Sequence, residues 1–207
     1  MNHSPLIAPL NALRCFEELK IVTTEFLSQL TDGKDYYNYN LPVTDELRDK
    51  VNSEMAEYGL PEILNFLTFK RKNFFVDDET PDVSTMRGIH LDYYRAVDGP
   101  SKASIIIPLS GCEDTFMYYI DGEYDTEVAL THVGNYYSEI RWLTTPRILD
   151  RVSIIDQPVL ANIGVPHTAN SKTDGTYRCT LTLKFIDNLS YEEVYEKLNR
   201  HGCIAQR

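Results

Sequence analysis

The sequence predicts a mainly β protein with flanking helices, in which the strands form a sandwich or a barrel. From residue 88 onward, short runs rich in β-branched and aromatic residues are separated by turn residues such as Asp121-Gly122 and Gly134-Asn135. About eight runs at this spacing are typical of antiparallel folds rather than of βαβ units. The segments before and after this region have the periodicity of amphipathic helices instead.

The N-terminal part is expected to be largely helical. Apolar residues recur at helical spacing over residues 10–30, which predicts an amphipathic helix packed on the sheet. Thr44 is placed to cap a second helix, and Gly59 is placed to end it. The run from Pro61 to Phe69 is apolar without a clear period, so helix and strand both stay open there.

The strand candidates follow one another without an evident linker, which favours one domain for the whole chain, 1–207. We expect a helical part over about 1–70, a β core over about 73–187 and a last helix over about 190–200, with Ser190 and Glu193 as its capping box. The strand candidates are Ile89–Val97, Ala103–Leu109, Phe116–Ile120, Glu127–Leu130, Tyr136–Trp142, Ile148–Ile155, Val159–Ile163 and Tyr177–Ile186.

Composition restricts the class of protein. With 207 residues, 43% apolar and 25% charged, the chain has the composition of a globular domain with a good core. The net charge of −11 disfavours nucleic acid and anionic membranes as partners. We find neither a signal-peptide pattern nor an apolar run of about 18 residues, and four cysteines without a Cys-x-x-Cys pair suggest reduced thiols in a cytoplasmic protein. Oligomeric state is left open.

Two histidines and an aspartate are candidate metal ligands. His90 and Asp92 are separated by one residue, so in a strand both side chains point to the same face. His167 follows another predicted strand. Two histidines and one carboxylate on one face of a metal leave the opposite positions open, which is typical of non-haem iron(II) oxygenases. Each segment alone has an ordinary structural explanation, and only their combination on strands favours a site. The remaining histidines, His3, His132 and His201, have weaker claims.

The last predicted strand carries a polar face, which is a candidate binding surface. Arg178, Thr180 and Thr182 share this face, while the opposite face is apolar. A buried arginine needs an anion, and its planar fork fits a carboxylate. The alternative is a solvated face. Lys184 is a second cation on the same face and competes with Arg178 for the anchoring role.

These segments resemble the 2-oxoglutarate/Fe(II)-dependent dioxygenases, whose ligand motif is His-x-Asp…His followed by Arg-x-Ser/Thr. The resemblance covers residues 88–185 and implies a double-stranded β-helix, the jelly-roll or cupin-like barrel. It implies hydroxylation of a substrate C–H bond, with release of succinate and CO₂. It also implies that Fe(II) is held by His90, Asp92 and His167. The far carboxylate of 2-oxoglutarate is then bound by Arg178 and Thr180.

Two other functions stay open beside an oxygenase. One is a cupin-type metalloprotein that does not use 2-oxoglutarate, and the other is a metal-free jelly-roll binding module. A polar insert over residues 170–175 leaves the register between His167 and Arg178 unsettled. Tyr94, Tyr118 and Tyr119 are possible further contacts of the co-substrate. The substrate is expected to be a small molecule or a protein side chain, without a feature that selects one.

Overall fold

The computed structural model describes residues 5–11, 13–30, 36–73, 75–77, 81–95, 99–130, 136–154, 157–172 and 175–205. Within these ranges the chain forms three α-helices and two antiparallel sheets of six and seven strands. The helices are α1 (Phe16–Ser28), α2 (Asp45–Glu57) and α3 (Tyr191–Arg200). The strands are β1 (Ile7–Pro9), β2 (Tyr36–Asn40), β3 (Ile63–Lys72), β4 (His90–Arg95), β5 (Gly99–Pro100), β6 (Ala103–Ser110), β7 (Thr115–Asp121), β8 (Tyr124–Leu130), β9 (Tyr136–Trp142), β10 (Arg147–Ser153), β11 (Val159–Asn162), β12 (His167–Ser171) and β13 (Tyr177–Phe185).

Eight of these strands form a jelly-roll barrel, which confirms the expected fold. One sheet contains β3, β13, β6 and β11 as neighbours, and the other contains β4, β12, β7 and β10. The chain passes back and forth between the two sheets, as it does in a double-stranded β-helix. The β8–β9 hairpin extends the second sheet beyond β4.

The predicted helix caps are present. The Thr44 side chain accepts a hydrogen bond from the backbone N–H of Leu47 at the start of α2. Ser190 and Glu193 form the reciprocal capping box of α3. Helix α1 starts later than the periodicity suggests, because the backbone N–H of Leu10 donates to Pro158 and draws the chain before it into a sheet. Periodicity alone did not indicate this early strand.

Residues up to 70 are less helical than expected. Strands β1 and β2 extend the first sheet, and β3 is a barrel strand paired with β13 along nearly its whole length. The ambiguous run after Pro61 is therefore a strand. Its period is unclear because both faces are covered: Phe66 packs with the helices, and Leu67 is equally buried on the opposite face. The single-domain organisation stays a prediction.

The barrel interior has an apolar and a polar half. Met117 and Tyr119 of one sheet pack against Val159 and Ala161 of the other, so this cluster lies between the sheets. The outer face of the first sheet is covered by the helices through a separate core. The four cysteines are free and buried. No helix within the described ranges is both long and apolar enough to cross a membrane.

Candidate metal centre

Strand β13 presents the predicted polar face to the barrel interior. Leu181, Leu183 and Phe185 lie in the core beneath the helices, and the alternate residues therefore point inward. The inward residues are between 6% and 8% exposed, which excludes a solvated face: Arg178, Thr180, Thr182 and Lys184.

Strands β4 and β12 bring the three candidate ligands together. His90 lies directly opposite His167 in the antiparallel register, and the two imidazole centroids are 4.7 Å apart. Asp92 lies two residues beyond His90 on the same face. One ligand atom from each of the three residues lies within 4.8 Å of the others. The His-x-Asp…His pattern is thus assembled at one point inside the barrel.

Both histidines are held in the orientation that a metal site needs. The Nδ1 of His90 lies 2.7 Å from the carbonyl oxygen of Gly88, and the Nδ1 of His167 lies 2.8 Å from that of Val165. A carbonyl oxygen only accepts, so each Nδ1 carries a proton, and Nε2 is the ring nitrogen left for a metal. Hydrogen bonds of this kind fix the tautomer and the ring orientation of metal-binding histidines.

The two carboxylate oxygens of Asp92 have different neighbours. Oδ2 lies 3.6 Å from Nε2 of His167, on the side of the histidines. Oδ1 lies 3.2 Å from Nζ of Lys184, which reaches across the barrel from the other sheet. Burial disfavours the carboxylate charge, but the Lys184 ammonium and the two histidines outweigh burial and hold the pKa of Asp92 below its ordinary value. Asp92 is therefore an anion at neutral pH.

The electrostatics also keep His90 neutral. Burial and the neighbouring His167 lower the pKa of His90 to about 4, although Asp92 acts in the opposite direction. A neutral imidazole is the form that binds a metal. Two imidazole nitrogens and one carboxylate oxygen suit a first-row divalent ion such as Fe(II). The residues present fit the metal that the resemblance implies.

Arg178 and Thr180 lie in the same barrel as the triad. Nη1 of Arg178 donates to the carbonyl oxygen of Ala169, 2.7 Å away on β12. Thr180 lies between Arg178 and Lys184 on the inward face and is 7% exposed. Since strand residues rise by about 3.3 Å each, the Cα atoms of Arg178 and Lys184 are about 20 Å apart. The side chains lie closer to one another along β12 than these Cα atoms do: Lys184 contacts Asp92, and the Arg178 guanidinium contacts Ala169, two residues beyond His167.

Arg71 is a charged neighbour of the site that the sequence did not reveal. It lies opposite Arg178 in the β3–β13 register, so both side chains share a face. A Cβ added at Gly88 would lie 2.7 Å from Nη2 of Arg71, so the guanidinium occupies the space that the glycine leaves. Arg71 also contributes to the lowered pKa of His90. Arg71 and Phe69 are two residues apart, so their side chains share a face if this segment is a strand. The sequence left helix and strand open before this point, and the position of Arg71 could therefore not be predicted.

Several other expectations need correction. The polar insert is in part a strand, since Asn170 and Ser171 belong to β12 and are buried. Tyr118 faces away from the site, in a cluster with Val76 and Ile120. The hydroxyl of Tyr119 donates to the carbonyl oxygen of Leu6 and is thereby engaged away from a co-substrate.

The remaining candidates add no ligand to the described site. His201 ends α3 beside Tyr58, whereas His3, His132 and the side chain of Tyr94 lie outside the described residues.

Comparison with known proteins finds similar structures only. No family model and no curated protein matches the sequence. A prolyl-4-hydroxylase from Pseudomonas putida is 14% identical, with a TM-score of 0.37 over 84% of this chain and 87% of that one. AviO1 from Streptomyces viridochromogenes Tue57 is 11% identical, with a TM-score of 0.40 over 88% and 89%. HygX from Streptomyces hygroscopicus, solved with nickel and 2-oxoglutarate bound, is 12% identical, with a TM-score of 0.38 over 87% and 82%. These similarities are distant, and function follows from the site itself.

Proposed function

We propose that this protein is an Fe(II)- and 2-oxoglutarate-dependent oxygenase that hydroxylates a C–H bond of its substrate. In this reaction 2-oxoglutarate, O₂ and the substrate give succinate, CO₂ and the hydroxylated product. His90, Asp92 and His167 would hold the iron, and bound iron supplies the activation of O₂. Arg178 and Thr180 would bind the far carboxylate of 2-oxoglutarate.

The observation that supports this proposal most is the preset triad. Both Nε2 atoms and one carboxylate oxygen converge inside the barrel, and backbone carbonyls fix both rings. Such an arrangement occupies one face of a metal and leaves the other positions open for small ligands. Two imidazoles tilted at 47° beside a carboxylate place three possible ligand atoms together, which a purely structural core would not need.

Arg178 favours a 2-oxoglutarate enzyme over a cupin-type metalloprotein without that co-substrate. Its guanidinium is 8% exposed and lies inside the barrel, beside the Ala169 carbonyl oxygen of β12. It also offers the bidentate geometry that a carboxylate requires. In this role it would orient 2-oxoglutarate, and the apolar half of the interior would help to exclude water from the reaction.

The substrate class and the cellular location belong to the same proposal. A small molecule or a protein side chain fits an enzyme whose net charge of −11 disfavours nucleic acid as a substrate. A cytoplasmic location would agree with four free, buried cysteines.

The proposal is tested by the visible spectrum of the anaerobic complex. Adding Fe(II) and 2-oxoglutarate to the metal-free protein should produce a weak charge-transfer band, because the 2-oxo acid chelates the iron. Exposure to O₂ should then bleach the band and release succinate. His167→Ala should give neither the band nor succinate, because one ligand is missing.

Arg178→Gln provides the matched comparison. It should bind metal as the wild type does, but the band should require at least about tenfold more 2-oxoglutarate, since a charged hydrogen-bonded pair is lost. Equal loss of metal and co-substrate binding would mean that Arg178 is structural. Absence of the band at saturating ligand in the wild type would favour the cupin-type or metal-free alternatives.

A further inference from the structure

Lys184 has a feature that the proposed reaction does not use. The side chain is buried in the barrel, and its Nζ lies 3.2 Å from Oδ1 of Asp92. The two residues belong to strands of different sheets, so the ion pair crosses the barrel interior. The carboxylate that would hold the metal therefore already has a cationic partner.

The two carboxylate oxygens of Asp92 have different partners. Oδ1 is held by Lys184, whereas Oδ2 points toward Nε2 of His167 at 3.6 Å. A metal held by His90, Asp92 and His167 would therefore bind a carboxylate of which one oxygen is already paired with the ammonium. The divalent ion and the ammonium would then share one anion at short range.

The energetics of this arrangement depend on whether a metal is bound. A buried carboxylate that loses its counter-charge is strongly destabilising, and Lys184 supplies that counter-charge at 3.2 Å. Asp92 would be neutralised by a divalent ion bound at the triad, and the Lys184 ammonium would then repel that ion. The same lysine thus stabilises the metal-free fold and opposes metal binding.

We propose that Lys184 is a positioning residue that acts as the counter-cation of Asp92 in the metal-free protein, so that metal binding competes with it. This inference rests on the proposed function only in requiring that a metal binds at His90, Asp92 and His167. It also assigns different roles to the two cations of β13. Arg178 would bind the co-substrate, and Lys184 pairs with the metal ligand Asp92.

The test compares Lys184→Met with the wild type under two conditions. Unfolding temperature is measured with a chelator present, and metal affinity is measured with Co(II) as the probe. The metal-free variant should unfold at a temperature lower by roughly 5 °C, because Asp92 loses its partner. Its Co(II) dissociation constant should fall about tenfold, because the competing charge is gone. With saturating Co(II), the difference in unfolding temperature between variant and wild type should shrink, as thermodynamic linkage requires.

Two control variants separate charge from packing. Lys184→Arg keeps the positive charge and should stay within about twofold of the wild-type Co(II) affinity. Thr182→Val alters the same inward face without removing a charge, and it should leave Co(II) affinity unchanged. If Lys184→Met destabilised the Co(II)-bound form as much as the metal-free form, or more, and Co(II) binding were accordingly unchanged or weaker, the inference would be overturned.

A double-mutant cycle in chelator keeps this test independent of the oxygenase proposal. In an Asp92→Asn background, Lys184→Met should cost much less stability than in the wild type, because the pair is already broken. An equal cost in both backgrounds would overturn the role of Lys184 as a counter-cation. A wild type that binds no Co(II) would instead overturn the proposed function, and the cycle alone would then decide the pairing.

Discussion

The two candidate histidine ligands are positioned by the same local hydrogen bond. In each case Nδ1–H donates to the carbonyl oxygen two residues earlier, at Gly88 for His90 and at Val165 for His167. This contact lies within one short segment, so a single backbone turn sets the tautomer before the strands meet. The consequence is a pair of preorganised rings, and for His90 the lowered pKa adds a neutral state.

Stability of the metal-free protein should fall as the pH drops from about 6.5 to about 4. The pKa of His90 is lowered to about 4 in the folded protein from an ordinary 6.5, so within this window the unfolded chain binds the proton and the folded chain does not. Protonation therefore favours unfolding, by up to about 3 kcal/mol at about 1.4 kcal/mol per pH unit. Urea titrations in chelator at several pH values measure this loss.

His90→Asn is the control for that pH dependence. The variant lacks the titrating group, so its free energy of unfolding should decline less steeply between these pH values. The difference between the two curves isolates His90 from the many carboxylates of the chain. Parallel curves would contradict the lowered pKa of His90.

At the scale of elements, the turn after β6 depends on a close approach to β13. Gly111 has a φ of +66°, and a Cβ there would lie 2.0 Å from the carbonyl oxygen of Tyr177. That oxygen belongs to the backbone at the start of the strand that carries Arg178, so it has little freedom to move. The glycine lets the two segments pack and thereby fixes where the inward face of β13 begins.

Gly111→Ala should destabilise the protein much more than Gly59→Ala. Gly59, which follows α2, has a nearly equal φ of +68° but no neighbour within 4 Å of an added Cβ. The Gly59 variant therefore reports only the cost of the left-handed conformation, about 1–2 kcal/mol. Gly111→Ala adds the clash and should cost at least about 2 kcal/mol more in denaturant unfolding. Similar costs would show that the strand start yields easily.

At the scale of the whole molecule, the site lies where the second sheet is joined by few backbone pairs. Among the described residues, β12 pairs with β7 along its length, but with β4 only through His167 and His90. The first sheet is paired more continuously and is supported by the helices. A metal bound by His90, Asp92 and His167 would thus connect two strands that otherwise share little.

Metal binding should therefore protect β4 and β12 most. Hydrogen exchange measured by mass spectrometry with and without Co(II) should slow in these two strands more than in α1, because the ion cross-links them against local opening. Asp92→Asn should lose this regional effect. A uniform change over the whole chain would indicate that the ion acts only on global unfolding.

The sequence by itself determined the β-rich fold class, the helix caps at Thr44 and Ser190, and the alternation that placed His90 with Asp92 and Arg178 with Thr180. These features are local: a strand's period of two and a cap's hydrogen bond involve residues close together in the chain. Only the tertiary structure decided that polar β12 is a buried strand and that Lys184 pairs with Asp92. Both depend on partners from distant parts of the chain, and a burial pattern read from one segment does not contain them.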